Sequence, residues 1–535
     1  MEVDKKQSWK PLIAIALSMV MMYITTFGVN VLISAIVNDL KTTVANLQFV
    51  IVAASLIAGS LMVTAGRLGD KFGKKKIFVI GVIVYTIGLI TVVFSPNVAV
   101  FTLAWAVIWP SGMVLIIPTS IALIMYFYEG GQRALAFGIY GAVLSAVSAI
   151  APVVVGFLSD TLGWRLALSL SPIMGVVTVL FSLSLPETEK DSAVKIDIFS
   201  VILSVASFGL FLITTTMAGR FGWIFQKRPL VFNGYPIDLF GLSVVPLLYA
   251  VSAILLIVFF YRGSQLKKRG EVPLLDASLL KNAPFAIGMT IGALFFLVNA
   301  GYIFAVSVYL QAGVRFEGLQ TALTTLPFSV VLAILSFATP GLGKKIASKW
   351  IVVAGAIVMG IGVFMAGQLA DMKMTPIDLL LPMILAGAGS GLIMAQYTGI
   401  TMMTVAPEQS GEASGLSETM KEIIGQGFAV ALAGSVLFGA VYSSMVDDYA
   451  KLEGETLTKS EHIEIVIELE DTFQAISEED EAKFVASLPD KTKRAYRKIV
   501  ESAGKKGLNA ALMVMNVFLV VMAGLALLVP ARKMD

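Results

Sequence analysis

The sequence predicts an all-α polytopic membrane protein, and three observations lead there. Of 535 residues, 57% are hydrophobic and only 14% are charged, whereas a soluble chain carries roughly a quarter. The mean hydropathy is +0.86. Apolar runs recur along the chain, each near the ~20 residues a helix needs to cross a bilayer core. Hydrocarbon offers no partner to backbone polar groups, so the spanning segments must be helices.

The first run, 11–38, holds no ionisable side chain except Tyr23. It is too long for the apolar core of a signal peptide and no small-residue cleavage site follows, so it reads as a span. Runs at 46–65, 77–95, 99–125, 135–158 and 166–185 come next. Those at 198–217, 239–261, 284–312, 320–342 and 350–370 follow, then 377–403, 413–441 and 508–530, for about fourteen spans.

The net charge of +3 is small, and its placement matters more. Lysine-rich loops at 66–76, 261–270 and 343–349, with the tail 531–535, fall on one side of an even number of spans. The positive-inside tendency makes that side, and both termini, cytoplasmic. On the other side lie an aromatic loop, 219–238, and one long polar segment, 442–507, acidic first and basic later. Ser477 as a cap and Pro489 as a break predict an extracytoplasmic helical hairpin there. It reads either as a solvated spacer or as a lid touching lipid.

Zero cysteines exclude thiol catalysis, disulfides and thiolate metal sites. The single histidine, His462, sits in the outer hairpin without a second ligand to complete a metal site. No phosphate-cradling loop appears, so direct ATP use is not expected. No enzyme, cofactor or nucleic-acid partner is expected.

One loop is more specific. "GRLGDKFGKKK" (66–76) joins the second and third spans, with Gly66 and Gly73 allowing tight turns around Asp70, Lys71 and Lys74. Lysines alone would mark only a cytoplasmic anchor. The single Asp framed by glycines resembles the cytoplasmic loop of the major facilitator superfamily of transporters. Further likenesses are "GAVLSAVSAIAPVVVGFLSDTLGWR" (141–165), "EVPLLDASLLKN" (271–282), "VYLQAGVRFEGLQTALTTLP" (308–327) and "LAGAGSGLIMAQYTGI" (385–400). Together they resemble the fourteen-helix drug:proton antiporter family over nearly the whole chain. The resemblance implies two six-helix bundles, 1–190 and 271–535, with two additional helices in 191–270. It also implies that Asp70 pairs with a basic residue after the fourth span, here Arg133, to close the cytoplasmic side in the outward-open state.

The chain departs from that family at two charged positions. Aligned on Asn30, the first-span Asp is replaced by Thr25; aligned on Pro118, the fourth-span Arg is replaced by Ala106. Losing both is coherent, because losing one would strand a buried charge. Trp105 and Trp109, one turn apart, make this face aromatic, either as helix packing or as a flat wall for an apolar substrate.

The stretch "GLSETMKEIIGQG" (415–427) brings in charge instead, where the family usually has Asn and Arg at the positions of Glu418 and Lys421. Glu418 sees Lys421 and Glu422 at the i+3 and i+4 spacings. Lys421 can neutralise one carboxylate and leave the other to carry a proton, or the three can dock a cytoplasmic gate, or simply snorkel. Asn30, Asn299, Gln311, Gln396 and Tyr397 are the uncharged polar groups at depth. Singly they suit interhelical contacts, and as a set they suit a cavity with few polar contacts.

The expectation is a monomeric secondary exporter of amphiphilic or cationic small molecules in a prokaryotic inner membrane, in contact with lipid and driven by protons. A lipid-like substrate moved without that coupling is the alternative of the same fold. A non-transporting receptor or assembly partner acting through 442–507 is the alternative of another class.

Overall fold

The computed structural model describes residues 9–188, 190, 197–228, 230–232, 235–237, 240–271, 273–275, 277–339, 342, 345–403, 405, 410–454, 456–475 and 490–530. The side chains of Asp70 and Arg133 lie outside the described residues, and so do Ser477 and Pro489. Among those described, fourteen helices are long and apolar enough to cross a membrane. The first six are α1 (Lys10–Val31), α2 (Val44–Phe72), α3 (Lys74–Val93), α4 (Val98–Phe127), α5 (Gly130–Leu162) and α6 (Trp164–Leu183). Next are α7 (Ile198–Phe221) and α8 (Val244–Lys268). The last six are α9 (Ala283–Gly313), α10 (Gly318–Ala338), α11 (Ser348–Leu369), α12 (Leu380–Met402), α13 (Gly415–Leu452) and α14 (Asp490–Leu528). The chain is an all-α, multi-pass integral membrane protein.

Local sequence explains where these helices begin and turn. Thr43, Asn97, Asp197, Ser243 and Asn282 each accept a backbone N–H of the first turn they precede, satisfying donors that lipid cannot. Gly73 separates α2 from α3 at φ +99°, a conformation that favours glycine.

The packing repeats itself. Within the first six helices the contacts are α1 with α5 and α6, α3 with α4 and α6, and α2 with α4. Adding eight to each label gives the contacts of the last six: α9 with α13 and α14, α11 with α12 and α14, and α10 with α12. Between the groups, α2 meets α13 and α5 meets α10, a pair that the same shift exchanges. The two groups are therefore related by a pseudo-two-fold, as in transporters built from parallel repeats.

Helix α7 lies along the α2/α13 seam. Ser204 donates to the Ser60 carbonyl of α2 at 3.2 Å, and Phe211 stacks on Phe428 of α13 with centroids 5.5 Å apart. Helix α8 covers α7 and exposes Ile254 and Ile257, a face suited to lipid.

Three expectations change at the polar edge. The run 11–38 is not one helix: α1 ends in a 3₁₀ turn at Val29–Val31, and a separate helix, Ile33–Asp39, follows. The aromatic loop contains an antiparallel hairpin, β1 (Leu230–Phe232) and β2 (Tyr235–Ile237). The outer segment starts later than 442, because α13 and its flanking turn stay helical to Glu453 and α14 begins at Asp490. Between them lies helix Lys459–Ala475, clasped by Arg228 from the β-hairpin loop. Arg228 donates to both Asp471 oxygens at 2.6 Å, to Glu470 at 3.2 Å and to the Ile467 carbonyl at 3.1 Å. His462 pairs with Asp447 at 3.0 Å.

At the opposite face Asp197 both caps α7 and receives Arg262 of α8 through two 2.9 Å hydrogen bonds. The guanidinium, helped by Ser200 and opposed by burial, holds this carboxyl down at about 2. A depressed folded-state value stabilises above the ordinary carboxylate range and loses that stabilisation as pH falls through the folded value. Asp197→Asn is therefore expected to lower stability by about 2 kcal/mol near neutrality. Thermal melts of both proteins should converge between pH 4 and pH 2.

Candidate site between the two helix groups

The site is built on α13, whose helix changes pitch just beyond the charges. Residues Ile423–Phe428 form a π turn, a feature common at functional positions. Immediately before it, Lys421 Nζ lies 2.9 Å from Glu418 Oε2, with the side chains 24% and 26% exposed. That exposure separates the pair from the Arg228–Glu470 clasp, at 11% and 13%. Lys421 also stands over the Phe296 ring of α9, 4.8 Å from its centroid. Tyr397 of α12 meets Phe296 edge-on at 5.7 Å. From the first group, Tyr23 of α1 and Tyr140 of α5 fall within electrostatic reach of Glu418 and Lys421. Phenols of one group thus come within electrostatic reach of the charges of the other. Glu422 is half-buried beside Lys421.

The structure distributes the sequence-predicted residues unevenly. Tyr397 belongs to this cluster, and half-buried Asn299 lies one turn beyond Phe296 on α9. Gln311 instead bridges the groups: its amide donates to the Asn30 carbonyl, and its oxygen accepts from the Ser34 N–H at 3.2 Å. Gln396 is fully buried and donates to the Thr339 carbonyl at 3.3 Å, an interhelical contact. Trp105 is 2% exposed, stacked on Phe101 at 5.4 Å, and Trp109 meets Tyr85 of α3 edge-on at 5.4 Å. Both rings are buried and packed against neighbouring aromatic rings. Trp109 retains an unpartnered buried indole N–H.

Tyr23, Tyr140 and Phe296 were not among the sequence candidates. Tyr23 carried a signal, as the lone ionisable residue of its run. Tyr140 and Phe296 are ordinary apolar-run residues until the fold turns them inward.

Thr25 and Ala106 are neutral in packing as well as in charge. Thr25 is fully buried and shares a 2.7 Å hydrogen bond with Ser171 of α6, and Ala106 lies within a π turn, Ala104–Ile108. The described carboxylates and ammonium of this cluster are therefore on α13, with Tyr397 nearby and Tyr23 and Tyr140 within electrostatic reach.

Each end of the interface has its own contacts. On the face bearing the outer hairpin, Gln311 joins α9 to α1, and Asp160 of α5 caps α10 by accepting from Gly318 N–H at 3.1 Å and Leu319 N–H at 2.8 Å. Close by, Trp164 and Arg165 hold Asp39 at 3.1 and 2.8 Å. On the lysine-rich face, Gly66 approaches Pro118 of α4, and Arg67 donates to the Pro273 carbonyl at 3.0 Å. Lys74 stands over Tyr126, and Lys75 donates to Glu187 at 3.0 Å.

Two pseudo-symmetric helix groups around a helix with a partly exposed charge pair define a polytopic membrane transporter. The chain belongs to the Major Facilitator Superfamily, whose model matches residues 15–430. It is 26% identical to the probable actinorhodin transporter of Streptomyces coelicolor, over 79% of this chain and 71% of that one. It is also 26% identical to the multidrug efflux pump LfrA of Mycolicibacterium smegmatis, over 84% of each. Quinolone resistance protein NorB of Staphylococcus aureus is 24% identical over 82% of this chain and 90% of its own. Among solved structures, a bacterial homologue of the human lysosomal transporter Spinster, inward-facing and unoccupied, superposes with a TM-score of 0.61. That likeness has 16% identity, covers 98% of this chain and 97% of that one, and bears on the fold.

Breaking the Gln311 bridge should loosen the hairpin face. The chain has no cysteine, so a single Asn30→Cys reporter labels without background. Adding Gln311→Leu is expected to speed its reaction with a membrane-impermeant maleimide applied from that face by threefold or more. An unchanged rate would show that the bridge does not hold this face closed.

Proposed function

We propose that the chain is a secondary active exporter of amphiphilic, cationic small molecules, working by alternating access and driven by protons. The observation that carries this reading is the Glu418–Lys421–Glu422 cluster, whose Glu418–Lys421 pair is partly exposed and within electrostatic reach of phenols from the other helix group. Carboxylates at membrane depth that face a cleft rather than lipid mark substrate or proton pathways. The named relatives, a multidrug efflux pump and a quinolone resistance protein among them, support export of small molecules.

In this reading 1–190 and 271–535 are the two moving bundles, and 191–270 is an insertion that follows the α2/α13 seam. The lysine-rich face is cytoplasmic, both termini included, and the membrane is the inner one. Gly66, Asp70, Gly73, Lys74 and Arg133 form the cytoplasmic gate, and Gln311 with Asp160 closes the opposite side. Tyr23, Tyr140, Phe296, Asn299 and Tyr397 line the cavity. The protein acts as a monomer.

Neutral Thr25 and Ala106 leave Glu418 and Glu422 to carry the proton. Proteoliposomes with an imposed pH gradient should take up ethidium, and Glu418→Gln or Glu422→Gln should slow gradient-driven uptake at least tenfold with the protein still folded. Uptake retained in both variants would return these carboxylates to gate electrostatics. A wild type that ignores the gradient would favour an uncoupled, lipid-like substrate.

A further inference from the structure

We infer that Lys421 is a tethered competitor of the substrate: its ammonium occupies the place that an organic cation's charge takes on binding. The inference rests on the export reading above and adds to it an internal occupant of the site.

Two interactions hold the Lys421 ammonium, the Glu418 carboxylate at 2.9 Å and the face of Phe296 at 4.8 Å. A carboxylate and an aromatic face are also what recognise an organic cation in a desolvated site. Tyr397, edge-on to Phe296 at 5.7 Å, extends the same aromatic surroundings. Lysine and ligand therefore seek the same partners, and two like charges cannot share them.

The geometry lets the lysine yield. About a quarter of each partner's side chain is exposed, so the pair is reachable rather than sealed. The flexible four-carbon stem allows the ammonium to leave without movement of α13. Lys421 and Glu418 are on one helix, three residues apart, so the contact remakes itself when the ligand departs. The arrangement keeps Glu418 compensated in both states, by Lys421 in the empty site and by the ligand in the filled one. It also weakens apparent binding, because every ligand must first displace the lysine.

The test is calorimetric binding of tetraphenylphosphonium to the purified full chain in detergent. Lys421→Gln is expected to bind it about tenfold more tightly than wild type, whereas Lys421→Arg, which keeps the charge, stays within threefold. Phe296→Leu removes a platform that both competitors use, so it too stays within threefold; this variant serves if Lys421→Gln does not fold. Unchanged or weaker binding in Lys421→Gln, or a tenfold loss in Phe296→Leu, overturns the competition while wild-type ethidium export stands. Absence of binding in every variant, together with absence of export by wild type, overturns the cation-export reading beneath it.

Discussion

Hydrocarbon satisfies no hydrogen bond and screens no charge, and the rest of this structure follows from that constraint. It makes every crossing a helix and leaves the helix ends to be completed by polar side chains such as Thr43, Asn97 and Asp197. It also decides where ionisable groups can lie. Thr25 shares its hydrogen bond with Ser171, and on α13 Lys421 pairs with Glu418. Glu418 and Lys421 neutralise one another at 2.9 Å while both remain partly exposed. A sealed pair would cost desolvation for no gain, and an isolated charge would be worse.

The pseudo-two-fold gives that cleft its mechanical setting. The seams α2/α13 and α5/α10 exchange under the symmetry, while each group keeps its own packing. The insertion breaks the equivalence. Helix α7 contacts α2 through Ser204 and α13 through Phe211, so it covers this seam. The clasp of Arg228 on helix Lys459–Ala475 then joins the connection between α7 and α8 to the segment that follows α13. These two loops, read separately in the sequence, make one polar cap.

Legibility in the sequence followed physical range. Spans were readable because burial in lipid imposes a composition on ~20 consecutive residues, and fourteen appear in both readings. Glu418, Lys421 and Glu422 were readable because a charge within an apolar run needs a reason, and i, i+3 and i+4 spacings are fixed by the helix itself. Asn30, Gln311 and Gln396 showed only that a polar group sat at depth. Gln311 became a bridge between groups and Gln396 an interhelical contact through residues 281 and 57 positions away, a pairing no local pattern encodes.

The sequence by itself determined the class of molecule, its number of crossings, its family likeness and the helix on which its membrane charges lie. Each of these depends on composition or on spacing within one helix. Only the tertiary structure decided what those charges face. Phe296 of α9 lies under Lys421, and Tyr23 and Tyr140, from two other helices far apart in the chain, come within electrostatic reach of α13 because of how the helices pack. It also brought Trp105 and Trp109 into a buried aromatic cluster with Phe101 and Tyr85. The physical reason is the same in each case: an apolar run says that a residue is out of water, but only the crossing of helices says whether lipid, protein or a ligand takes the water's place.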